Sequence, residues 1–190
     1  MVSPDLQRLS PAECVVCVID VQEKLATAMP PESIATITRA VGALAEAATL
    51  LGVRMVATEQ YPQGLGSTLP AVRQELERTS APVFSKMTFS AMDHAGFHEF
   101  WNENGRPNAV VVGMETHICV FQTVRDLLSK GVRVWLPIDG VASRRDDHRQ
   151  AGIAMCNAIG AITTTTESLV FDWLREAGTE AFRLISRRIR

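Results

Sequence analysis

A continuous apolar run, followed at once by a helical pattern, dominates the centre of the chain. Val110 to Val112 contains no polar residue, which is typical of a strand buried on both faces of a parallel sheet. The run ends at Gly113, and apolar residues at helical spacing begin near Val120 and stop before Gly131. A strand that leads directly into a helix predicts a βα unit, with the carboxyl end of the strand beside the start of the helix.

The same alternation of short apolar runs and helix-length segments extends along the whole sequence. The predicted strands are residues 14–19, 53–57, 82–84, 109–112, 132–136 and 161–164. Segments of this length between strands are typical of right-handed crossovers in a parallel sheet. We therefore expect a single domain over residues 1–190. Its fold class is α/β, a three-layer α-β-α structure whose parallel sheet has six strands in the order 3-2-1-4-5-6.

Composition and charge narrow the possible partners and the cellular location. A net charge of −2 at pH 7 gives no electrostatic reason to expect nucleic acid as a partner. The N-terminal residues lack the layout of a secretory signal, and no uninterrupted apolar run has the roughly 18 residues needed to span a bilayer. Four cysteines in 190 residues do not form a disulfide framework. We therefore expect a cytoplasmic protein that binds neither nucleic acid nor a membrane.

Three reactive side chains fall where predicted strands end or where the next helix begins. Asp20 follows the first strand, Lys86 follows the third, and Cys119 lies in the first turn of the helix after the fourth. Ligands in open α/β sheets bind outside the carboxyl ends of the strands. A helix start and a nearby ammonium lower the pKa of a thiol below its usual value of about 8.5, so we expect Cys119 to be a reactive thiolate. Taken singly, the three residues have structural alternatives: a turn aspartate, an exposed lysine and a buried core thiol.

Two further motifs favour structural roles. Cys14 and Cys17 are three residues apart in a predicted strand, so their side chains point to opposite faces of the sheet. We expect two core thiols there, rather than a redox or zinc pair. His94 and His98 are four residues apart on a predicted helix, but a third metal ligand is not evident. We expect these histidines to be solvated.

The sequence resembles the isochorismatase-like cysteine hydrolases, a family that includes nicotinamidases and N-carbamoylsarcosine amidohydrolase. The resemblance covers essentially the whole chain. It rests on Val18 to Gln22, on Lys86 with Phe89 to Ala91 behind it, on Gly113 to Val120 with Gln122 and Thr123, and on Thr58 to Gly66. The last of these segments is similar to the subgroup called isochorismatase domain-containing proteins, whose substrates are poorly defined.

The resemblance implies a catalytic triad of Asp20, Lys86 and Cys119. It also implies a non-proline cis peptide at Met114–Glu115 and an oxyanion hole made by the backbone N–H groups of Glu115 and Cys119. In this scheme Asp20 accepts the thiol proton, and the sulfur attacks a carbonyl carbon. Water then hydrolyses the resulting thioester, and no cofactor is required.

Departures from the family pattern restrict the activity. Nicotinamidases carry a metal site built from an Asp and histidines in the loop after the second strand. In this chain the loop, residues 58–69, contains no histidine, so we expect no metal site. Siderophore-pathway isochorismatases lack the nucleophilic cysteine and cleave a vinyl ether, so Cys119 indicates a different reaction. We expect a hydrolase of a small amide or related carbonyl compound, acting on non-peptide C–N bonds.

Four residues near the predicted site are candidates to line the substrate pocket, namely Gln22, Gln60, Tyr61 and Phe89. The main alternative function is a catalytically idle interaction protein, although an idle site would need none of the triad residues. A peroxide-sensing thiol at Cys119 is a third hypothesis, but no second cysteine is placed to resolve a sulfenic acid.

Relatives in the family are commonly homo-oligomers, so we expect a dimer, a tetramer or a larger homo-oligomer. A short helical segment near the pocket loops contains Phe97, Phe100 and Trp101. These apolar side chains are candidates for part of the interface between subunits.

Overall fold

Seven parallel strands form the centre of the computed structural model, which describes residues 8–104 and 106–189. The strands are β1 (Cys14–Ile19), β2 (Arg54–Gln60), β3 (Val83–Lys86), β4 (Asn108–Met114), β5 (Arg133–Pro137), β6 (Val141–Ala142) and β7 (Ile162–Thr164). Their order is β3-β2-β1-β4-β5-β7, and β6 pairs with the end of β4. The predicted order is confirmed: the strand expected as the sixth is β7, because the two-residue β6 was not foreseen.

Helices connect the strands and cover both faces of the sheet. In the described part of the chain they are α1 (Glu23–Ala26), α2 (Pro31–Leu51), α3 (Pro62–Leu65), α4 (Pro70–Arg78), α5 (Ala95–Asn104), α6 (Phe121–Ser129), α7 (Asp146–Ala158), α8 (Thr166–Leu174) and α9 (Glu180–Ile189). Helices α2, α4, α8 and α9 contribute to one hydrophobic core. Helices α5, α6 and α7 contribute to the other. The three-layer α/β architecture is therefore as predicted.

The two cores lie on opposite faces of the sheet, because side chains alternate along each strand. In β1, Val16 and Val18 belong to the core beneath α2, whereas Val15 and Cys17 belong to the core beneath α6. Cys14 lies in the first core and Cys17 in the second, and both are free thiols. They form two core thiols, as the sequence pattern predicts.

Helix α2 is long and apolar enough, by composition, to cross a membrane. Half of its most apolar window is buried inside the fold, where Ile37, Val41 and Leu44 are completely buried. Polar residues interrupt its sequence, so it contains no unbroken apolar run that would predict a membrane span. Its apolar composition is accounted for by packing over the sheet.

One local prediction is wrong. Phe97 and Trp101, expected at an interface between subunits, are buried in a core of the protomer, and Phe100 is half-buried against it. These rings stabilise the attachment of α5 to the sheet.

The second and third strands extend further than predicted. Gln60 pairs with Lys86 at the ends of β2 and β3, so residues 58–60 and 85–86, expected in loops, are strand residues. Because β2 lies between β1 and β3, its last residues lie between the backbone of Asp20 and that of Lys86. This arrangement determines which side chains surround the candidate site.

Candidate active site

Asp20 lies directly beyond the end of β1 and is fully buried. Its backbone N–H donates to the carbonyl oxygen of Thr58 at 3.1 Å. Its carboxylate accepts a hydrogen bond at each oxygen, from Thr58 Oγ1 and from Lys86 Nζ, both at 2.7 Å. A carboxylate removed from water needs such donors to compensate for lost hydration. The two bonds therefore hold the Asp20 side chain in one orientation.

Lys86 Nζ is surrounded by four oxygen atoms. Besides Asp20 Oδ2, they are Gln60 Oε1 at 2.7 Å, the carbonyl oxygen of Phe89 at 3.0 Å and that of Thr88 at 3.2 Å. The Lys86 side chain has no exposed surface. An ammonium has three donors, and these acceptors can satisfy all of them. Lys86 therefore places a positive charge at a fixed position beside Asp20.

The Cys119 thiol completes the group and interacts with both Asp20 and Lys86. It lies in a single π-helical turn, Thr116–Val120, that leads into α6, and it is 6% exposed. Burial raises the pKa of this thiol to about 12; the charge and hydrogen bonding of Asp20 add to the increase, and Lys86 opposes it. The expected low pKa is therefore wrong for the resting site, because desolvation and a like charge outweigh the ammonium and the helix start.

The turn before Cys119 is held by residues that follow β6. The Met114–Glu115 peptide is cis, and the backbone N–H of Thr116 donates to Ser143 Oγ at 3.1 Å. Arg144 donates to Glu115 Oε1 through Nε at 2.8 Å and to Oε2 through Nη2 at 3.2 Å. Burial opposes ionisation of Glu115, but the hydrogen bonds and charge of Arg144 outweigh it and lower the Glu115 pKa. The sequence reasoning missed this clamp because its partners are far apart in the chain.

Two glycines allow close backbone contacts around the same turn. A Cβ on Gly113, whose φ is +138°, would lie 2.0 Å from the carbonyl oxygen of Ile19. A Cβ on Gly152, in α7, would lie 2.8 Å from the backbone nitrogen of His117 and 2.8 Å from the carbonyl carbon of Thr116. The turn that carries the thiol is therefore packed backbone against backbone, and glycine is required at both positions.

Gln22 and Gln60, expected to line a pocket, are instead engaged inside the protein. Gln22 Oε1 accepts from the Gln60 backbone N–H at 2.7 Å, and Gln22 Nε2 donates to the carbonyl oxygens of Gln60 at 3.0 Å and Gly66 at 2.7 Å. The Gln60 side chain accepts from Lys86 Nζ and donates to the carbonyl oxygen of Met87 at 2.9 Å. Both amides support the site from inside the protein, because their polar atoms are already hydrogen-bonded to protein groups.

Tyr61 and Phe89, the other two pocket candidates, are exposed beside Lys86. Their exposed fractions are 47% and 52%, and that of neighbouring Met87 is 68%. The Tyr61 backbone N–H donates to the carbonyl oxygen of Lys86 at 2.9 Å, and the carbonyl oxygen of Phe89 accepts from Lys86 Nζ. These residues present apolar surface near the candidate site.

The described residues contain no group of three or more His, Cys, Asp or Glu side chains placed to hold a metal ion. His94 precedes α5, where its Nδ1 accepts the backbone N–H of Phe97 at 3.2 Å. The His98 ring contacts Asn102 Nδ2 at 3.2 Å. The two histidines thus have separate local contacts.

A cavity of about 570 Å³ lies away from the thiol. It is lined by residues that include Arg39, Asp139 and Arg149. Asp139 Oδ1 accepts the Thr166 backbone N–H at 2.8 Å at the start of α8. Because none of the residues around Cys119 lines this cavity, we do not assign the reaction to it.

Comparison with known proteins connects this arrangement to a family. Residues 14–168 match the isochorismatase domain. The secreted isochorismatase effector Isc1 of Phytophthora sojae is 35% identical, over 97% of this chain and 88% of its own length. Isochorismatase domain-containing protein 2 of Bos taurus is 31% identical, over 98% of this chain and 88% of its own length.

Solved structures resemble the fold over almost its whole length. The MAR1 ribonuclease from Caenorhabditis elegans superposes with a TM-score of 0.87 at 31% identity, covering 96% of this chain and 92% of its own. The YcaC gene product from Escherichia coli, described as an octameric hydrolase of unknown specificity, gives a TM-score of 0.87 at 18% identity. That match covers 98% of this chain and 92% of the other.

Proposed function

The chain belongs to the isochorismatase domain family of hydrolases, and we propose that it is a cofactor-independent cysteine hydrolase whose nucleophile is Cys119. One observation carries this proposal: a thiol contacts a fully buried carboxylate–ammonium pair, Asp20 and Lys86. Burying such a pair is costly unless its geometry is good and its remaining groups are bonded. Because burying the Asp20–Lys86 pair beside a thiol is costly in free energy, the arrangement favours a chemical role for these three side chains.

The first half of the proposed reaction forms a thioester. Asp20 accepts the Cys119 proton while Sγ forms a bond to the carbonyl carbon of a small amide or related compound. Because the resting thiol has a pKa of about 12, we expect proton transfer to accompany the attack. Lys86 remains a cation and offsets the negative charge on the sulfur. Asp20 then gives its proton to the leaving nitrogen, and the C–N bond breaks.

The second half releases the acid. A water molecule gives a proton to Asp20 as its oxygen attacks the thioester carbon, and the C–S bond breaks. The proton returns from Asp20 to the Cys119 sulfur, which restores the resting site. The sum is an amide plus water giving a carboxylic acid and an amine, with no redox change.

The backbone N–H groups of Glu115 and Cys119 are the proposed oxyanion hole. Two other donors of this turn already have acceptors: the Thr116 N–H binds Ser143 Oγ, and the Ile118 N–H binds the carbonyl oxygen of Glu115 at 3.0 Å. Preformed donors of this kind stabilise the tetrahedral oxyanion without reorganisation. The Arg144 clamp on the Glu115 side chain keeps this backbone in place.

Hydrolysis of RNA is a second function to test, because the C. elegans relative is called a ribonuclease. The net charge of −2 offers little attraction for a phosphate backbone. In addition, Lys86, the cation of the site, is already bound by four protein oxygens. We therefore rank a carbonyl compound ahead of RNA.

We further propose a homo-oligomer in the cytoplasm. The E. coli protein is described as an octamer, and on this chain the exposed Tyr61, Met87 and Phe89 form apolar surface of the kind found at interfaces. The four free cysteines suit a reducing compartment. Light scattering that reports a mass of 20.8 kDa would contradict the oligomer. Cell fractionation tests the location, since one relative is named as secreted.

Mutation of the nucleophile tests the reaction. Purified protein is incubated with a panel of small amides, ureides and RNA, and the release of ammonia, amine or nucleotide is measured. We expect turnover of at least one carbonyl compound, and its loss in Cys119→Ala and Asp20→Asn. A variant that kept more than about a tenth of the wild-type rate, a loss under about 1.4 kcal/mol, would contradict the covalent scheme.

A second cysteine provides the matched control. Cys156 is buried in α7 and belongs to the core, so Cys156→Ala should keep turnover even if it lowers stability. Mass spectrometry of samples taken during limited treatment with iodoacetamide should find the label on Cys119 before the three core thiols. Equal turnover in Cys119→Ala and Cys156→Ala would contradict a nucleophilic role for Cys119, and the absence of turnover by the wild-type protein would favour the idle interaction protein.

A further inference from the structure

The Gln60 side chain bridges two neighbouring groups at the end of β3. Its Oε1 accepts from Lys86 Nζ at 2.7 Å, and its Nε2 donates to the carbonyl oxygen of Met87 at 2.9 Å. The oxygen of the amide must face the ammonium and its nitrogen must face the carbonyl, so only one amide orientation satisfies both contacts. The residue is 8% exposed, and its amide is therefore fixed.

A second amide holds the first in place. Gln22, fully buried beyond β1, accepts the Gln60 backbone N–H at 2.7 Å and donates to the Gln60 carbonyl oxygen at 3.0 Å. This pair of bonds connects the chain beyond β1 to the end of β2. Buried polar networks of this kind rigidify a structure when every member is satisfied. The backbone from which the Gln60 side chain projects is thus fixed at the end of β2 rather than in a loop.

From these contacts we infer that Gln60 is a positioning residue, which holds the Lys86 ammonium against Asp20 and so controls the ease with which the Cys119 proton is transferred. The inference rests on the proposed cysteine hydrolase. Gln60 acts through Lys86 and is not assigned any contact with the substrate.

The chemistry of the amide explains why glutamine suits this position. The charged groups that face the thiol are Asp20, beyond β1, and Lys86, at the end of β3; the first opposes ionisation of Cys119 and the second favours it. A neutral acceptor such as Gln60 Oε1 fixes the ammonium without cancelling its charge. A carboxylate at the same place would compete with Asp20 for Lys86 and would add a negative charge near the thiol.

Two substitutions at Gln60 separate this role from simple packing. Gln60→Met keeps the volume but removes the acceptor, and Gln60→Glu keeps the shape but adds a charge. Gln74→Met, at an exposed position on α4, is the matched control. The readouts are the rate constant of Cys119 alkylation by iodoacetamide over a range of pH, the pH profile of turnover, and the thermal unfolding midpoint.

We expect a graded effect on reactivity. At a fixed pH below the thiol pKa, the alkylation rate constant should fall about tenfold in Gln60→Met, as for a pKa increase of about one unit. It should fall further in Gln60→Glu, although that side chain is the closer isostere. Gln74→Met should match wild type. Rates are normalised to the folded fraction, so loss of folded protein does not imitate the effect.

Three outcomes are decisive. Normalised rates equal to wild type in both Gln60 variants would overturn the inference, and so would Gln60→Glu reacting faster than Gln60→Met. If Gln60→Met fails to fold, the comparison of Gln60→Glu with wild type still decides. If wild-type Cys119 is neither required for turnover nor alkylated before the core thiols, the proposed function fails instead. If the wild-type thiol is reactive but the Gln60 variants react at the wild-type rate, only the positioning role of Gln60 is excluded, and the proposed function is not affected.

Discussion

Thr58 donates a 2.7 Å hydrogen bond to Asp20, and both side chains are buried. The hydroxyl occupies one carboxylate oxygen while the Lys86 ammonium occupies the other. Asp20 is therefore presented to the thiol with its rotation fixed from two sides. Catalytic groups held in one orientation lose little entropy when they react.

Removal of the Thr58 hydroxyl should impair both turnover and stability. Thr58→Val keeps the branched shape and deletes one hydrogen bond to a charged group, an interaction worth about 1.5–3 kcal/mol. We expect turnover to fall at least about tenfold. Thr58→Ser should restore most of it. Steady-state kinetics with urea unfolding as the stability control test this, and a Thr58→Val enzyme as fast as wild type would contradict it.

Neutralising Lys86 should make the thiol less reactive. Lys86 lowers the Cys119 pKa against the effects of burial and Asp20, so Lys86→Met should raise that pKa further. The alkylation rate constant at a fixed pH near 8 should then fall about tenfold for each unit of increase. The variant should also lose stability, by up to about 3–5 kcal/mol, because Asp20 is left buried without its partner. Lys24→Met, at an exposed position in α1, is the control. If the alkylation rates of Lys86→Met and wild type superimpose over the pH range, an action of Lys86 on the thiol is excluded.

Gly152 and Gly42 provide a matched pair of helical glycines. A Cβ on Gly152 would lie 2.8 Å from the backbone of the turn that carries the thiol, whereas the nearest atom to a Cβ on Gly42 is 3.7 Å away. Gly152→Ala should therefore destabilise the protein by about 1–3 kcal/mol and reduce Cys119 alkylation. Gly42→Ala should stabilise it by up to about 1 kcal/mol. Urea unfolding measures both, and equal effects of the two substitutions would contradict the close packing of α7 against the turn.

The protein should lose stability in alkali. Burial raises the pKa of Cys14, Cys119 and Cys156 to about 12, from a reference value of 9.0. Since the unfolded thiols ionise first, this stabilisation is complete below about pH 9 and is lost as the pH rises toward about 12. Each thiol contributes a decrease of up to about 1.4 kcal/mol per pH unit in that window. The free energy of unfolding, measured in urea across this range, should decline less steeply in Cys156→Ala; a flat profile would contradict the prediction.

Chelators should leave turnover unchanged. The loop that holds a metal in nicotinamidases contains no histidine here, and Glu59, the carboxylate in that segment, accepts hydrogen bonds from Thr68 Oγ1 at 2.7 Å and Arg73 at 2.9 Å. Incubation with EDTA followed by an activity assay is the measurement. Inactivation that zinc or iron reverses would overturn the metal-free assignment.

The sequence predicts the meeting of Asp20, Lys86 and Cys119 because each falls at or just beyond the carboxyl end of a strand of the same parallel sheet. The hydrogen bond of Thr58 to Asp20 and the contact of Gln60 with Lys86 were not predicted, because the polar stretch after Ala57 is typical of a loop. In the structure that stretch is the end of a strand between β1 and β3. The predicted strand order indicates that these residues are neighbours of the site, since it places the end of β2 between Asp20 and Lys86.

The thiol pKa could not be predicted for a different reason. Sequence spacing identifies the groups that act on Cys119, but the largest influence on its pKa is burial. Burial depends on how closely α7 and the turn pack together, and that packing involves Gly152. The Arg144–Glu115 clamp is likewise a contact between distant segments. Such quantities are set by tertiary packing, which local patterns do not record.

The proton held on Cys119 in the resting site has a consequence for durability. Peroxide and other oxidants attack the thiolate rather than the protonated thiol. A sulfur that keeps its proton until a carbonyl compound is in place is expected to survive oxidative stress that would inactivate enzymes with a permanently ionised cysteine. The same burial that slows the reaction of Cys119 with simple reagents would thus lengthen the working life of the protein.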